Sequence, residues 1–170
     1  MRAVWKRAAL TQKRKLAIFG SLIESKLMYS LSAICFTKAQ ERMLNGFQNR
    51  CIRDIIGVAH SYISRVSNEE VLRRSECTAA TTLLEKRQMQ LLGKILRSPE
   101  GHPLREASFI RGTNYPLTEK FVRRVGRPSK EWVPHFLRRA STIFGSTVHA
   151  EAAALTKRTW EAGLCQWYSC

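Results

Sequence analysis

The sequence predicts an all-α fold, an irregular bundle of five or six helices with a poorly ordered loop around residues 99–127. The first indication is that apolar residues recur every three or four positions up to Pro99. The second is that helix-capping residues stand where this periodicity begins. The third is that no apolar–polar alternation is long enough for a β-sheet. With 44% hydrophobic residues among 170, the chain can bury a core.

Two helices are predicted in the first third of the chain. The first begins after the N-cap Thr11 and contains Gly20. Its apolar stripe consists of Leu16, Phe19, Ile23 and Leu27. The second begins at Thr37, where Gln40 completes a capping box, and stops at Gly57. Its predicted inner face consists of Leu44, Phe47, Cys51 and Ile55.

Two more helices follow before residue 99. Ser67 and Glu70 form a second predicted capping box, which opens a short helix through about Arg74. A long helix is predicted from Thr78 to Arg97, because Pro99 and Gly101 stop it. The inner face of the long helix is predicted to be Leu84, Gln88, Leu91, Leu92 and Ile95.

The last part of the chain divides at its helix breakers. Glycine and proline interrupt both periodicities between Pro99 and Pro128, which favours a loop. A helix carrying Trp132, Phe136 and Leu137 is predicted after Pro128, and a last helix over Ala150 to Trp160. We therefore expect a thumb-like helical bundle over 1–98, a basic linker over 99–127 and a C-terminal helical segment over 128–170.

The excess of positive charge is the main clue to function. Against 29 lysines and arginines stand 13 acidic residues, of which Asp54 is the one aspartate, so the net charge is +16. Two-metal phosphoryl transfer needs several carboxylates converging on ions about 3.5–4 Å apart. A polymerase palm, a nuclease or an ATPase is hard to assemble from this composition. A polyanion is the expected partner, because cations that neutralise phosphates release condensed counterions.

Other composition features narrow the chemistry and the compartment. The five cysteines form no C-x-x-C pair and the four histidines are scattered, so we predict no metal site and no cofactor. Thiols placed as small hydrophobes favour an intracellular, nuclear or cytoplasmic location. Residues 1–23 contain no acid, which leaves a mitochondrial transit peptide as the weaker alternative. No apolar stretch is long enough for a membrane span.

The candidate phosphate-binding residues lie in three basic groups. The first group is at the start of the first helix, and the second is an outer stripe of the long helix that also contains Gln90. The third group, in the predicted linker and just after it, offers guanidinium groups that bind phosphate in a bidentate manner. Together these candidates are Lys13, Arg14, Lys15, Lys86, Lys94, Arg97, Arg123, Arg124, Arg127 and Lys130.

Five segments, in order over residues 15–132, resemble the region after the polymerase palm in LINE-type (non-long-terminal-repeat) retrotransposon reverse transcriptases. The segment 68–74 matches the family's N-E-E-V-L-R-R, and 47–58 is similar to its F…R-C-L-R-R-I-L-G-I. Residues 15–29 resemble its K-L…L-L-Y-G helix, 87–97 its R-L-R-W-L-G-H-V-L-R helix, and 126–132 its G-R-P-x-x-x-W. The chain departs from these patterns at Ser30, Leu91 and Lys94, where the family has Gly, Trp and His.

The resemblance implies a thumb-like module that holds template and primer beside a palm. It also implies that the catalytic Asp-Asp motif belongs upstream of residue 1, so that this fragment is not itself an enzyme. The expected partners are RNA or an RNA–DNA hybrid, bound through phosphates, and the missing palm domain. Three alternatives stay open: a basic helical scaffold for an acidic protein, a mitochondrial RNA-associated protein, and a fragment that is merely basic. The preference for RNA or DNA and the oligomeric state stay open too.

Overall fold

The computed structural model describes Trp5, residues 9–117 and residues 131–168. Within these ranges the chain is all-α, and the one β-type backbone pairing is an isolated antiparallel bridge between Phe109 and Pro116. This confirms the predicted fold class. No described helix is long and apolar enough to cross a membrane.

Packing divides the chain into two compact units. Unit 1 comprises Met1–Ser32 and Phe36–Leu84, and unit 2 comprises Ala33–Cys35 and Glu85–Cys170. The division falls inside the long helix, whereas the sequence placed its first boundary at residue 98, where the helix breakers begin.

The helices of unit 1 begin with α1 (Gln12–Ile18), which continues through a π-helical turn (Phe19–Glu24) into α2 (Ser25–Met28). After a 3₁₀ turn (Leu31–Ala33) come α3 (Lys38–Ile56), α4 (Ser61–Ser64), α5 (Asn68–Ser75) and the start of α6 (Ala80–Arg97). Leu16 and Phe19 share a core cluster with Ile52 and Ile55, while Met28 shares another with Leu44. The α1–α2 segment therefore runs antiparallel to α3.

Local capping agrees with the sequence in the first two predicted helices. Thr11 accepts a hydrogen bond from the Arg14 amide, and Thr37 and Gln40 form a complete capping box. Gly57 ends α3 with φ 73°, in the left-handed region that favours glycine. The Ser67 side chain caps α5, but the Glu70 carboxylate turns to arginines instead of closing the predicted box.

The inner face of α3 differs from the prediction at its centre. Phe47 is 43% exposed, whereas the neighbouring Gln48 is buried. Gln48 donates to Glu24 and to the carbonyl of Thr78, and its own oxygen accepts from the Ala80 amide at 2.7 Å. Because its amide is fully paired, a polar residue occupies the interior position that the apolar pattern assigned to Phe47.

Unit 2 is built around the C-terminal part of α6. Its other helices are α7 (Pro103–Glu106), α8 (Trp132–Phe144), α9 (Thr147–Ala154) and α10 (Lys157–Tyr168). Its buried core is formed by Met89, Leu92, Ile95, Phe109, Phe136, Ala140, Ala150, Ala154, Trp160 and Leu164. The Trp160 indole lies against Gly93, donates to the Met89 carbonyl at 2.9 Å and stacks on Phe144.

Two sequence predictions in unit 2 need correction. The segment 99–117, predicted as part of a poorly ordered loop, contains α7 and buries Phe109; the Arg105 guanidinium stabilises it by donating to Leu96 and Asn114. The single helix predicted over Ala150–Trp160 is instead divided between α9 and α10, and α10 continues to Tyr168. The Arg105 hydrogen bonds join residues nine positions apart, and Thr159 donates to the Ala153 and Thr156 carbonyls at the junction of α9 and α10, contacts that helical periodicity does not encode.

Candidate nucleic-acid interface

The first turn of α1 carries two of the predicted cations on the surface. Lys13 and Arg14 are exposed, and this turn contains no acidic residue. Positive side chains at a helix N-terminus oppose the helix dipole, so their presence here does not serve helix stability. Lys15 is different, because it is half-buried and its Nζ donates to the Trp5 carbonyl at 2.6 Å.

Only part of the outer stripe predicted on α6 is exposed to solvent. Gln90 and Lys94 are exposed, whereas Lys86 and Arg97 are half-buried. Arg97 directs its Nη1 to the Ala154 carbonyl at 3.4 Å. Lys94 is therefore the member of this stripe best placed to meet an external phosphate.

The third predicted group lies outside the described residues. Arg123, Arg124, Arg127 and Lys130 fall in the gap between residues 117 and 131. Their role as phosphate contacts stays a prediction.

Three arginines have structural roles that composition cannot reveal. Arg53 is 5% exposed and donates four hydrogen bonds to the segment 59–68. Arg105 stabilises the segment after α6. Arg139 pairs with Glu85 and lies over the Trp167 ring, and this pairing raises the pKa of the Arg139 guanidinium.

Two groups that lie next to arginines, Tyr168 and Glu70, have shifted pKa values. Burial, followed by the charge of Glu85, raises the pKa of Tyr168 well above its ordinary value. On α5, hydrogen bonds from Arg73 and Arg74 lower the pKa of Glu70 to about 2. Arg73 and Arg74 are thus already paired with a carboxylate, although both are exposed.

A row of cations on α3 was missed by the sequence analysis. Lys38, Arg42 and Arg50 are all exposed, and they are separated by multiples of four residues, so they follow one ridge of the helix. Arg50 lies 12 residues after Lys38, a rise of about 18 Å along the helix axis. Gly46 occupies the remaining position of the ridge, and a Cβ there would meet nothing within 4 Å. We call Lys38, Arg42, Gly46 and Arg50 the α3 ridge.

The i, i+4 spacing in the sequence was the signal that could have found the ridge. Asp54, also exposed, continues the same ridge beyond Arg50 and ends its positive character.

An apolar groove lies on unit 1, with a volume of about 290 Å³. Exposed Met43 and Phe47 of α3 form part of its wall. The remaining lining residues are Leu27, Leu31, Phe36, Gln40 and Leu44. The groove is a surface for apolar contact beside the α3 ridge, since Met43 directly follows Arg42 in the helix.

In the described part of the chain, no three His, Cys, Asp or Glu side chains are grouped so that they could hold a metal ion.

No protein-family model matches the chain, and no curated protein or solved structure is significantly similar to it. The resemblance to retrotransposon reverse transcriptases thus depends on the five sequence segments alone.

Proposed function

We propose that this chain is a non-catalytic, helical nucleic-acid-binding segment of a LINE-type reverse transcriptase. The observation that carries the proposal is the α3 ridge, where three exposed cations follow one line along a rigid helix. Such a line matches the repeated charge of a phosphate backbone, which contributes sequence-independent affinity. The exposed Lys13 and Arg14 add two cations to the same unit.

The proposed ligand is RNA or an RNA–DNA hybrid, held by its phosphates. Binding through six or more phosphate contacts should weaken about 10³-fold or more between 50 and 200 mM salt. Fluorescence anisotropy with labelled single-stranded RNA, duplex RNA and hybrid of equal length would measure this slope. Flat affinity over that salt range would contradict the proposal.

The α3 ridge can be tested with a triple variant and a charge-matched control. Changing Lys38, Arg42 and Arg50 to alanine should reduce the salt slope by up to about three, roughly one for each lost phosphate contact. The control changes three cations that already face glutamates, namely Arg73, Arg74 and Lys157.

Both triple variants lose the same formal charge. We expect the control to keep the wild-type slope, because its cations are engaged by carboxylates. Equal losses in the two variants would mean that affinity follows net charge only, and the ridge would not be the binding surface.

The proposal assigns no nucleotidyl transfer to this chain. Its supports are the single aspartate and the family resemblance, in which the Asp-Asp motif belongs to the palm. Primer extension by the purified protein with Mg²⁺ or Mn²⁺ would contradict it. The genomic sequence immediately upstream of the Met1 codon tests the origin, because the proposal expects a palm there that carries Asp-Asp.

A second candidate is a scaffold for an acidic protein. The observation favouring it is the apolar groove beside exposed cations, which suits an amphipathic helix with acidic flanks. Tighter binding to polyglutamate than to RNA at equal salt would favour this candidate over the first.

A further inference from the structure

The loop between α3 and α5 displays an aromatic pair to solvent. We call residues 59–67 the tyrosine loop. Its His60 and Tyr62 rings are stacked, with centroids 5.9 Å apart and an interplanar angle of 12°. Tyr62 is 75% exposed and Ile63 is 62% exposed. These side chains lie outside the core of unit 1, so core packing does not account for them.

A buried arginine holds this loop in place from below. Arg53 Nη1 donates to the Ala59 carbonyl at 2.9 Å and to Ser64 Oγ at 3.4 Å. Its Nη2 donates to the Val66 carbonyl at 2.6 Å and to Asn68 Oδ1 at 3.1 Å. The two nitrogens therefore bridge the beginning and the end of the tyrosine loop. A planar guanidinium with fixed donors is suited to such a role.

The C-terminal end of the tyrosine loop has a fixed backbone conformation of its own. Arg65, the residue after α4, has φ 56°, a left-handed conformation that non-glycine residues rarely adopt. Val66 packs against the core cluster of Phe19, Ile52 and Val71. Such a strained conformation persists where surrounding contacts hold the backbone in place. Here the hydrogen bonds of Arg53 and the packing of Val66 do so. The exposed rings are thus presented by a rigid support.

The charge of the loop suits an anionic partner. Residues 55–68 contain no acidic residue, and Arg65 is exposed three positions after Tyr62. Asp54 and Glu69 mark the two ends of this acid-free stretch. An exposed aromatic face beside a cation, in a protein of net charge +16, is the combination that binds single-stranded nucleic acid.

We propose that the tyrosine loop is a base-stacking site, at which an unpaired nucleobase lies on the exposed face of Tyr62. This inference rests on the proposed function and sharpens it. A ring can stack only on a base whose face is accessible, so the site selects single strands over the interior of a duplex. Arg53 acts as a positioning residue, because it touches the loop backbone and not the base.

The test compares two single-stranded oligonucleotides of equal length, one with adenine bases and one abasic, with the full-length protein. Alanine at a base-stacking aromatic typically lowers affinity about 5- to 150-fold. We expect Tyr62→Ala to show a loss in this range for the adenine strand and none for the abasic strand. Tyr62→Phe should retain wild-type affinity, since its ring stacks equally well. The salt slope should be unchanged, because no phosphate contact is lost.

Tyr29 provides a matched control, since it is 85% exposed and lies outside the loop. Tyr29→Ala should bind both oligonucleotides as the wild type does. Should Tyr62→Ala match this control on the adenine strand, the inference is wrong while phosphate binding by the protein still stands. If the wild type binds neither strand, the proposed function itself fails and the inference fails with it.

One further outcome separates a protein partner from a base. Loss of polyglutamate binding in Tyr62→Ala, with nucleic-acid binding intact, would overturn the inference and assign the loop to a protein contact. Because Tyr62 is largely exposed, its replacement should leave the melting temperature within a few degrees of the wild type, which thermal unfolding verifies beforehand.

Discussion

Gly93 supports the side chain at the centre of unit 2, and its replacement by alanine should be costly. A Cβ at Gly93 would lie 2.5 Å from Nε1 of Trp160 and 2.7 Å from two ring carbons. Real Cβ atoms do not approach other atoms so closely, so the indole must move. Trp160 is fully buried, bonded to the Met89 carbonyl and stacked on Phe144 with centroids 4.8 Å apart.

The expected destabilisation follows from three contributions. Overpacking of a dense core costs about 1–3 kcal/mol. Displacing the indole from Met89 leaves a buried polar group unpaired, at about 1–3 kcal/mol. Alanine recovers about 1 kcal/mol of helix propensity relative to glycine. The free energy of unfolding of Gly93→Ala should therefore fall by about 3 kcal/mol, which corresponds to a melting temperature lower by about 6–12 °C for a chain of this length.

Gly46→Ala is the matched control, because Gly46 is also inside a helix but a Cβ there meets nothing within 4 Å. This variant should gain up to about 1 kcal/mol from helix propensity alone. Thermal and urea unfolding followed by circular dichroism would measure both variants. If Gly93→Ala proved as stable as Gly46→Ala, the placement of Trp160 over Gly93 would be refuted.

Three further predictions concern charge. Replacing Arg123, Arg124 and Arg127 with alanine should flatten the salt slope of nucleic-acid binding by up to about three, while the melting temperature barely changes. If the variant instead unfolds and the protein that stays folded binds normally, these arginines are structural. The folded state holds the pKa of Tyr168 above its unfolded value. The free energy of unfolding should therefore be unaffected by this group below about pH 10 and should fall as the pH rises further. Alkaline unfolding of Tyr168→Phe should lack this dependence. Glu70 has the opposite sign, because its pKa falls from 4.5 to about 2 on folding. Stability should thus decline as pH drops through that window, less so in Glu70→Gln, and an identical acid profile in the two proteins would contradict the pairing.

Local features of the helices were predictable from the sequence. The N-cap at Thr11, the capping box at Thr37 and the stop at Gly57 involve residues within four positions of one another. Their hydrogen bonds form inside a single turn, so the residue types alone predict them. The end of α6 at Arg97 was predicted for the same reason, because Pro99 and Gly101 follow it.

The candidate interface was predictable only in part. Lys13, Arg14 and Lys94 are exposed as the helical pattern indicated. Arg97 has the same charge and the same pattern, yet it donates to a carbonyl 57 residues away in the chain. Periodicity assigns a side chain to a face of a helix, but it does not say which other segment covers that face.

The sequence by itself determined the helical class, the local caps and the net positive charge, because composition and short-range spacing are sufficient for each. Only the tertiary structure decided which cations serve the fold and which face solvent. Gln48 is buried since Glu24 and the 78–80 segment satisfy its amide. Arg53 is buried since the tyrosine loop brings four acceptors to it. Burial of a polar group is favourable only when partners distant in sequence meet it, and the folded chain alone brings those partners together.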